Sequence, residues 1–450
     1  VPRALRDGAF LVSLLACLAR EARAQDLLPA VANPDPSAAP AQTAADAEAE
    51  AALAAALTSD GADAAVAEAE EFKLNIYGFT DFTYTHQLND FAFASPYPTF
   101  LVGNINLYVS AELGSGFRAL TEFRLLYSPN GYTSFNELLT ANPQRVDTTA
   151  DDPADLGRPY RWGGVEIERA WLEYSAHPLF TIRAGQWLTP YGIWVVDHGT
   201  PVIIGVRRPY VVGEGLIPER QTGLMAYGSA FVGTTEIGYA LGLSNGRGPI
   251  DSYQDLDANK AVTGRLSVSN DSALGNVTLG GSVFRGRYTD RMRRFAVNAQ
   301  GEIGIEFITT QKYEELSFGA DLRWIWRDLT VQGEFMMRDT ALDDRFRPAS
   351  LVAPGEPPGF QPDFRSVGYY AMVAYRLPWA NIMPFFGGEN YEPGNDLAPA
   401  AAAIWGGLNV RPIPRVVLKA QYTQSWFTDD TNLVGDDGTQ VIDLQAAWSF

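Results

Sequence analysis

From Phe72 to the end of the chain, apolar and polar side chains alternate with period two, and this pattern more than any other feature limits what the chain can fold into. In the first stretch Phe72, Leu74, Ile76, Gly78, Thr80, Phe82 and Tyr84 share one face, with Lys73, Asn75, Tyr77, Asp81 and Thr83 on the other. The alternation returns at Ile105 to Leu113, Phe117 to Tyr127, Leu316 to Trp326, Leu329 to Phe335, Val367 to Tyr375, Val416 to Tyr422 and Ile442 to Phe450. Side chains of a strand point alternately to its two faces, so each stretch is a ribbon with one apolar face. Each has about the 10 residues of a tilted membrane strand.

Candidate strands fall near 72–84, 102–113, 117–127, 166–176, 179–187, 221–229, 233–243, 260–268, 276–287, 314–326, 329–338, 366–376, 382–390, 403–411, 415–426 and 440–450, sixteen in all. Their connections alternate between short ones, such as Gly114-Ser115-Gly116 and Arg327-Asp328, and long ones at 88–101, 128–165, 188–220, 288–313 and 339–365. A soluble sandwich also alternates, but the strand number, this rhythm and the aromatic residues at strand ends favour a transmembrane barrel. The expected fold is all-β: a 16-stranded antiparallel transmembrane β-barrel with short periplasmic turns and long external loops. Three positions fit poorly: Val165 to Glu173 breaks the alternation, Pro384 sits inside a strand, and Arg285 shares the apolar phase.

Lys and Arg number 34 against 53 Asp and Glu, a net charge of −19 that repels phosphate backbones, so no nucleic-acid partner is expected. After residue 19 no apolar run approaches the roughly 18 residues of a membrane helix. Residues 1–24 read as a signal peptide, with Arg3 and Arg6 before the apolar Ala9 to Ala19 and a small-x-small site at Ala22-Arg23-Ala24. A lipoprotein box ending at Cys17 is the competing reading. Residues 25–71 are Ala-, Pro- and acid-rich, with ten acids and no Lys or Arg, and read as a periplasmic linker; a weak self-associating helix is the alternative.

The end of the chain, Ala447-Trp448-Ser449-Phe450, resembles the C-terminal signal by which bacterial outer-membrane barrels are recognised for assembly, with Trp448 and Phe450 as its aromatic residues. Glu168-Arg169-Ala170-Trp171-Leu172-Glu173-Tyr174, Thr181-Ile182-Arg183-Ala184-Gly185-Gln186-Trp187 and Thr189-Pro190-Tyr191-Gly192 resemble a segment of the phosphate-selective porin family, and Tyr77-Gly78-Phe79-Thr80-Asp81 is similar to that family's first strand. The resemblance spans about a tenth of the chain. It implies a bacterial outer-membrane porin, a homotrimer of sixteen-stranded channels inserted by the barrel assembly machinery and surrounded by outer-membrane lipid.

A barrel of this size holds water along its axis unless something fills it. The segment 188–220 contains Ile193-Trp194-Val195-Val196 and Val202-Ile203-Ile204, too apolar to lie in water, and is the candidate constriction loop. It carries Arg207, Arg208 and Arg220 against Asp197, Glu214 and Glu219, whose segregation would set a transverse field. Among the residues of inward phase, Arg118, Arg124, Arg169 and Arg183 lie on three successive strands beside this segment, and guanidinium groups suit planar oxyanions. Inward acids, Glu122 and Glu173 among them, nearly balance the inward cations across the whole wall, so pairing across strands is the bland alternative.

Enzyme chemistry has little to build on. The histidines are His86, His177 and His198, and no Gly-x-Ser-x-Gly elbow is present. Asp147, Asp151, Asp152 and Asp155 would hold calcium only weakly and read better as a solvated acidic loop. No cofactor, metal or catalytic residue is expected. The expected function is passive diffusion of small hydrophilic solutes or ions, anions such as phosphate among them; the alternative is a plugged structural or adhesive barrel without transport.

Overall fold

The computed structural model describes residues 72–89, 97–127, 162–248, 255–297, 303–347, 349–350, 359–379, 381–395, 399–428 and 438–450. The leader at 1–24, the tract at 25–71 and the acidic loop residues Asp147, Asp151, Asp152 and Asp155 lie outside them.

Among the described residues, sixteen antiparallel strands close into one barrel. They are β1 (Lys73–Gln87), β2 (Thr99–Gly114), β3 (Phe117–Tyr127), β4 (Trp162–His177), β5 (Phe180–Leu188), β6 (Arg220–Val232), β7 (Thr235–Ser244), β8 (Ala261–Ser272), β9 (Gly275–Val297), β10 (Ile303–Trp326) and β11 (Leu329–Leu342), then β14 (Phe364–Tyr375), β15 (Ile382–Glu392), β16 (Ala400–Ile413), β17 (Val416–Thr428) and β18 (Gly438–Ser449). A separate ribbon of β12 (Ala349–Ser350) and β13 (Gly359–Phe360) falls between β11 and β14 in sequence. The seam is β1 on β18, in register from Phe79 opposite Ser449 to Gln87 opposite Val441. Closure removes the unpaired sheet edge, which lipid does not tolerate.

The alternation read from sequence sets the two faces. Along β14, Tyr369, Ala371, Val373 and Tyr375 are exposed outward while Ser366, Gly368, Tyr370, Met372 and Ala374 are buried inward. Side chains such as Phe318, Leu322, Phe335, Phe386 and Ile404 continue the exposed apolar belt around the barrel, a surface made for lipid. In the turn between β2 and β3, Gly114, Ser115 and Gly116 all have positive φ, of 87°, 50° and 80°, which explains the Gly-Ser-Gly sequence.

The stretch 288–313, expected as a loop, is instead an extended hairpin: β9 has 23 residues and β10 has 24, paired from Ile303 opposite Val297 downward. Above the bilayer neither face needs an apolar stripe, so the period-two signal fades while backbone pairing persists. Pro384 costs little, because the ladder of β15 with β14 begins one residue later, at Phe385 opposite Ala374. The break at Val165 to Glu173 is a β-bulge: Glu122 faces Arg169 but Phe123 faces Ile167, leaving Glu168 as the extra residue. Glu168 is thereby buried on the inner side together with Glu173, beside the partly exposed Arg169.

Candidate channel constriction

The chain between β5 and β6 packs inside the barrel. Its neck is tied where it enters and leaves: the Thr189 amide donates to the Glu219 carbonyl at 2.8 Å, and the Thr189 hydroxyl donates to the Pro218 carbonyl. Gln221 donates to Thr189 at 2.8 Å and accepts from Ser244 at 2.6 Å and Thr263 at 2.9 Å.

Inside, Tyr191, Trp194, Val195, Val211, Val212, Leu216 and Ile217 form one apolar cluster with the inward side chains Phe284, Met336, Tyr370, Met372, Phe385, Tyr391 and Trp405. Val211 and Val212 belong to the single helical turn α1 (Tyr210–Gly213). Gly192, at φ 61°, lies so close to the Glu334 carboxylate that any side chain there would collide with it.

The irregular backbone of this segment is satisfied by the wall. Glu334 accepts from the Trp194 amide at 2.9 Å and from the Tyr370 hydroxyl at 2.7 Å, and Glu389 accepts from the Tyr210 amide at 2.5 Å. Lys419 Nζ donates to the carbonyls of Ile203 at 2.9 Å and Gly205 at 2.8 Å, while Gln421 accepts from the Val206 amide at 2.7 Å. Arg411 and Ser317 donate to the carbonyls of Pro201 and Leu216.

The charges of the segment also reach the wall, on opposite sides. Arg207 grips Asp443 on β18 at 2.6 and 3.1 Å, whereas Asp197 pairs with Arg323 on β10. Arg208 stays within the segment, on Glu219 at 3.0 Å. Burial alone would raise the Glu219 carboxyl, but Arg208 in contact and Arg220 beyond it hold it below the ordinary carboxylate range. Glu214 is exposed. Because five of these six charges are in ion pairs, Arg220 included, they do not form two opposed free rows.

The four arginines of the β3–β5 wall come together around buried carboxylates. Arg118 and Arg183 share Glu173, each at 2.6 Å, with the Tyr227 hydroxyl donating at 2.5 Å. Arg169 holds Glu122 at 2.5 Å, and His198 of the inserted segment reaches the other oxygen at 3.1 Å, beside Asn106 at 2.6 Å. Arg124 at 3.2 Å and Arg220 at 2.6 Å share the bulge residue Glu168. Three tiers result, with five arginines against three carboxylates, a surplus of two positive charges before His198 is considered. The carboxylates are at most 4% exposed at the side chain, whereas Arg118 is 52% and Arg124 35% exposed and Arg169 and Arg183 only 23% and 18%, so what the tiers show to water is arginine side chain, chiefly of Arg118 and Arg124.

Rings frame this wall. Arg183 stacks 4.0 Å from the Trp171 centroid and Arg169 lies 5.3 Å from Tyr108, which stacks on Tyr77 at 4.9 Å. Glu168 is the anchor that sequence reading missed; the broken alternation at Val165 to Glu173 was its signal. At the seam, Trp448 and Phe450 are outward and partly exposed, at 39% and 52%.

Similar folds occur among solved structures. One is OmpT with loop L8 deleted, an outer membrane protein of Vibrio cholerae, at TM-score 0.50 and 10% identity over 84% of this chain and 99% of that one. The outer membrane channel DcaP of Acinetobacter baumannii superposes at 0.49 with 13% identity, covering 86% and 100%, and Salmonella typhi OmpF in complex with daunomycin at 0.46 with 10% identity, covering 84% and 98%. No family model matches the chain, and no curated protein matches it. The fold is that of bacterial outer-membrane barrels, and its closed, apolar-faced wall is at home in that membrane.

Proposed function

We propose that this barrel is a porin: a passive diffusion channel for small hydrophilic solutes and ions, with a mild preference for anions, phosphate among them. The observation that carries the reading is the three-tier wall, where Arg118, Arg124, Arg169, Arg183 and Arg220 outnumber the buried Glu122, Glu168 and Glu173, with Arg118 and Arg124 the most exposed of them. Charges lining a low-dielectric constriction act strongly on a passing ion, so a surplus of two is enough for a bias without a tight site. The segment 189–219 is the constriction, and Asp197, Arg207, Arg208 and Glu214 belong to it. Catalysis is not part of the reading: Asp197 is bonded to Arg323 and His198 to Glu122, so the pair adjacent in sequence does not form an acid-base relay.

The chain assembles as a homotrimer in this reading. Support comes from the aromatic group on the outer face of β1 and β2, where Phe82 and Phe100 stack at 5.7 Å and Tyr84 meets Phe100 at 5.1 Å. Insertion by the barrel assembly machinery would use Trp448 and Phe450. The second reading, a closed barrel serving adhesion or anchoring, is favoured by the full burial of Val195, Leu216 and Ile217 inside the wall.

Planar-bilayer recording under a salt gradient separates the two. The porin reading expects ohmic channels whose reversal potential moves toward cation preference when Arg118, Arg124, Arg169 and Arg183 are all replaced by Gln. Absence of channels refutes it. Channels unmoved by the replacement discard the wall as the selectivity filter.

A further inference from the structure

Among the described residues, the lipid-facing surface carries a row of charges on β9, β11 and β14. Arg285 on β9 is in register with Leu316 on β10, Leu316 with Asp339 on β11, and Asp339 with Arg365 on β14. Partners in register share a face, and Arg285 also pairs with Val262, which is 55% exposed, so the row is outward. Each of the four residues lies ten positions from the end of its strand at the short turns: Gly275, Trp326, Leu329 and Tyr375. Ten residues rising about 3.3 Å each at a tilt near 40° place the row roughly 25 Å above the turns, the height of the apolar band. Below it the same strands expose Val283, Phe318, Phe335 and Tyr369. The row therefore sits where outer-leaflet acyl chains end and headgroups begin.

The charges there are unevenly matched. Arg365 takes Asp339 at 2.5 and 2.9 Å, and Arg287 takes Glu314. Arg285, exposed between these pairs, makes no hydrogen bond or ion pair among the described residues. On this face three guanidinium groups thus stand against Glu314 and Asp339, beside an open groove of about 820 Å³ lined by Arg285, Arg365 and these two acids; its other carboxylates, Glu315 and Asp363, are taken by Arg247 and Arg347. Glu314 attracts Arg285 through space but gives its hydrogen bond to Arg287, which leaves the planar fork of Arg285 open to an external anion of matching shape, such as a phosphate. The face is also free for lipid under the trimeric arrangement above: β9 is eight strands from β1 in either direction around the barrel, opposite the aromatic group of β1 and β2.

We propose that this face, centred on Arg285, binds the phosphorylated headgroup of an outer-leaflet lipid, with the acyl chains lying along the belt beneath it. The inference rests on the barrel's place in the membrane and not on conductance. Native mass spectrometry of the full chain in detergent tests it, titrating diphosphorylated lipid A and the same glycolipid stripped of phosphate. Loss of one charge-assisted contact predicts a roughly tenfold weaker affinity for the phosphorylated lipid in Arg285→Gln. Arg285→Lys should keep most of the affinity, and for the unmodified chain the stripped lipid should fall to the Arg285→Gln level. Equal binding of the two lipids overturns the proposal, a comparison that needs no variant to fold. Arg285→Gln binding like the unmodified chain, or displacement of the lipid by inorganic phosphate alone, overturns it as well.

Discussion

Gly78 and Phe450 exchange both backbone hydrogen bonds, each at 3.0 Å, so Phe450 adds a rung to the seam that joins β18 to β1. A methyl group on Gly78 would lie 2.7 Å from the Phe450 ring and still closer to the Asn106 carbonyl. The glycine thus leaves room for the Phe450 ring.

Gly78→Val should therefore displace the Phe450 ring and weaken the seam, at a cost of about 1–3 kcal/mol for an overpacked site. The measurement is the midpoint of heat-modifiable migration on a gel, which should fall. An unchanged midpoint would mean that the ring swings aside without loss of the rung.

Lys419 ties the wall to the inserted segment from a buried position, because one side chain answers two carbonyls, those of Ile203 and Gly205. Lys419→Met leaves both without a donor, at roughly 1–3 kcal/mol each. The segment should then sample positions away from β17, read as larger or noisier single-channel currents and as faster proteolytic cleavage between Pro201 and Arg207. Protection equal to that of the unmodified chain would show that packing of Val211, Leu216 and Ile217 suffices.

The barrel was legible from sequence because lipid on one side forces a strict period of two. The wall inside was less so. On β14 both Tyr369/Val373 and Tyr370/Met372 are apolar, yet the first pair meets lipid and the second meets the inserted segment, a packing that alternation cannot reveal. The partners of the four arginines are set by cross-strand register, which the sequence does not show: Arg118 finds Glu173 and Arg169 finds Glu122 only because β3 and β4 align so. Glu168 showed only as a break in the alternation, since a bulge shifts phase by one residue. Tyr288 and Tyr313, stacked at 4.8 Å, lie in the hairpin that was read as a loop because polar composition above the membrane imitates one.

Glu219 closes the neck of the segment against Arg208, and its depressed folded-state pKa gives the pair a defined pH dependence. Stabilisation from a carboxylate of this kind is present above its unfolded pKa of about 4.3 and is lost as pH falls through the lower folded value. Below the ordinary carboxylate range the neck should loosen. Current noise should rise on acidification, and Glu219→Gln should already show part of that rise at neutral pH. A variant with the same noise as the unmodified chain at both pH values would remove Glu219 from the account.

Glu173 offers the sharpest test of the tiered wall, because stability and selectivity should move in opposite directions. Its two oxygens hold Arg118 and Arg183 and accept from Tyr227, while the carboxylate itself is 1% exposed. Glu173→Gln keeps the shape and removes the charge, leaving two guanidinium groups facing an amide. Breaking a buried pair costs about 3–5 kcal/mol, but Arg118 is half in water, so a loss nearer 2 kcal/mol is expected, read as a lower unfolding midpoint. At the same time the surplus on the wall rises from two positive charges to three, and the reversal potential should shift further toward anion preference. A destabilised channel with unchanged selectivity would mean that the tiers only brace the wall. A shift toward cations would place the solute path elsewhere, because added positive charge beside the path can only favour anions.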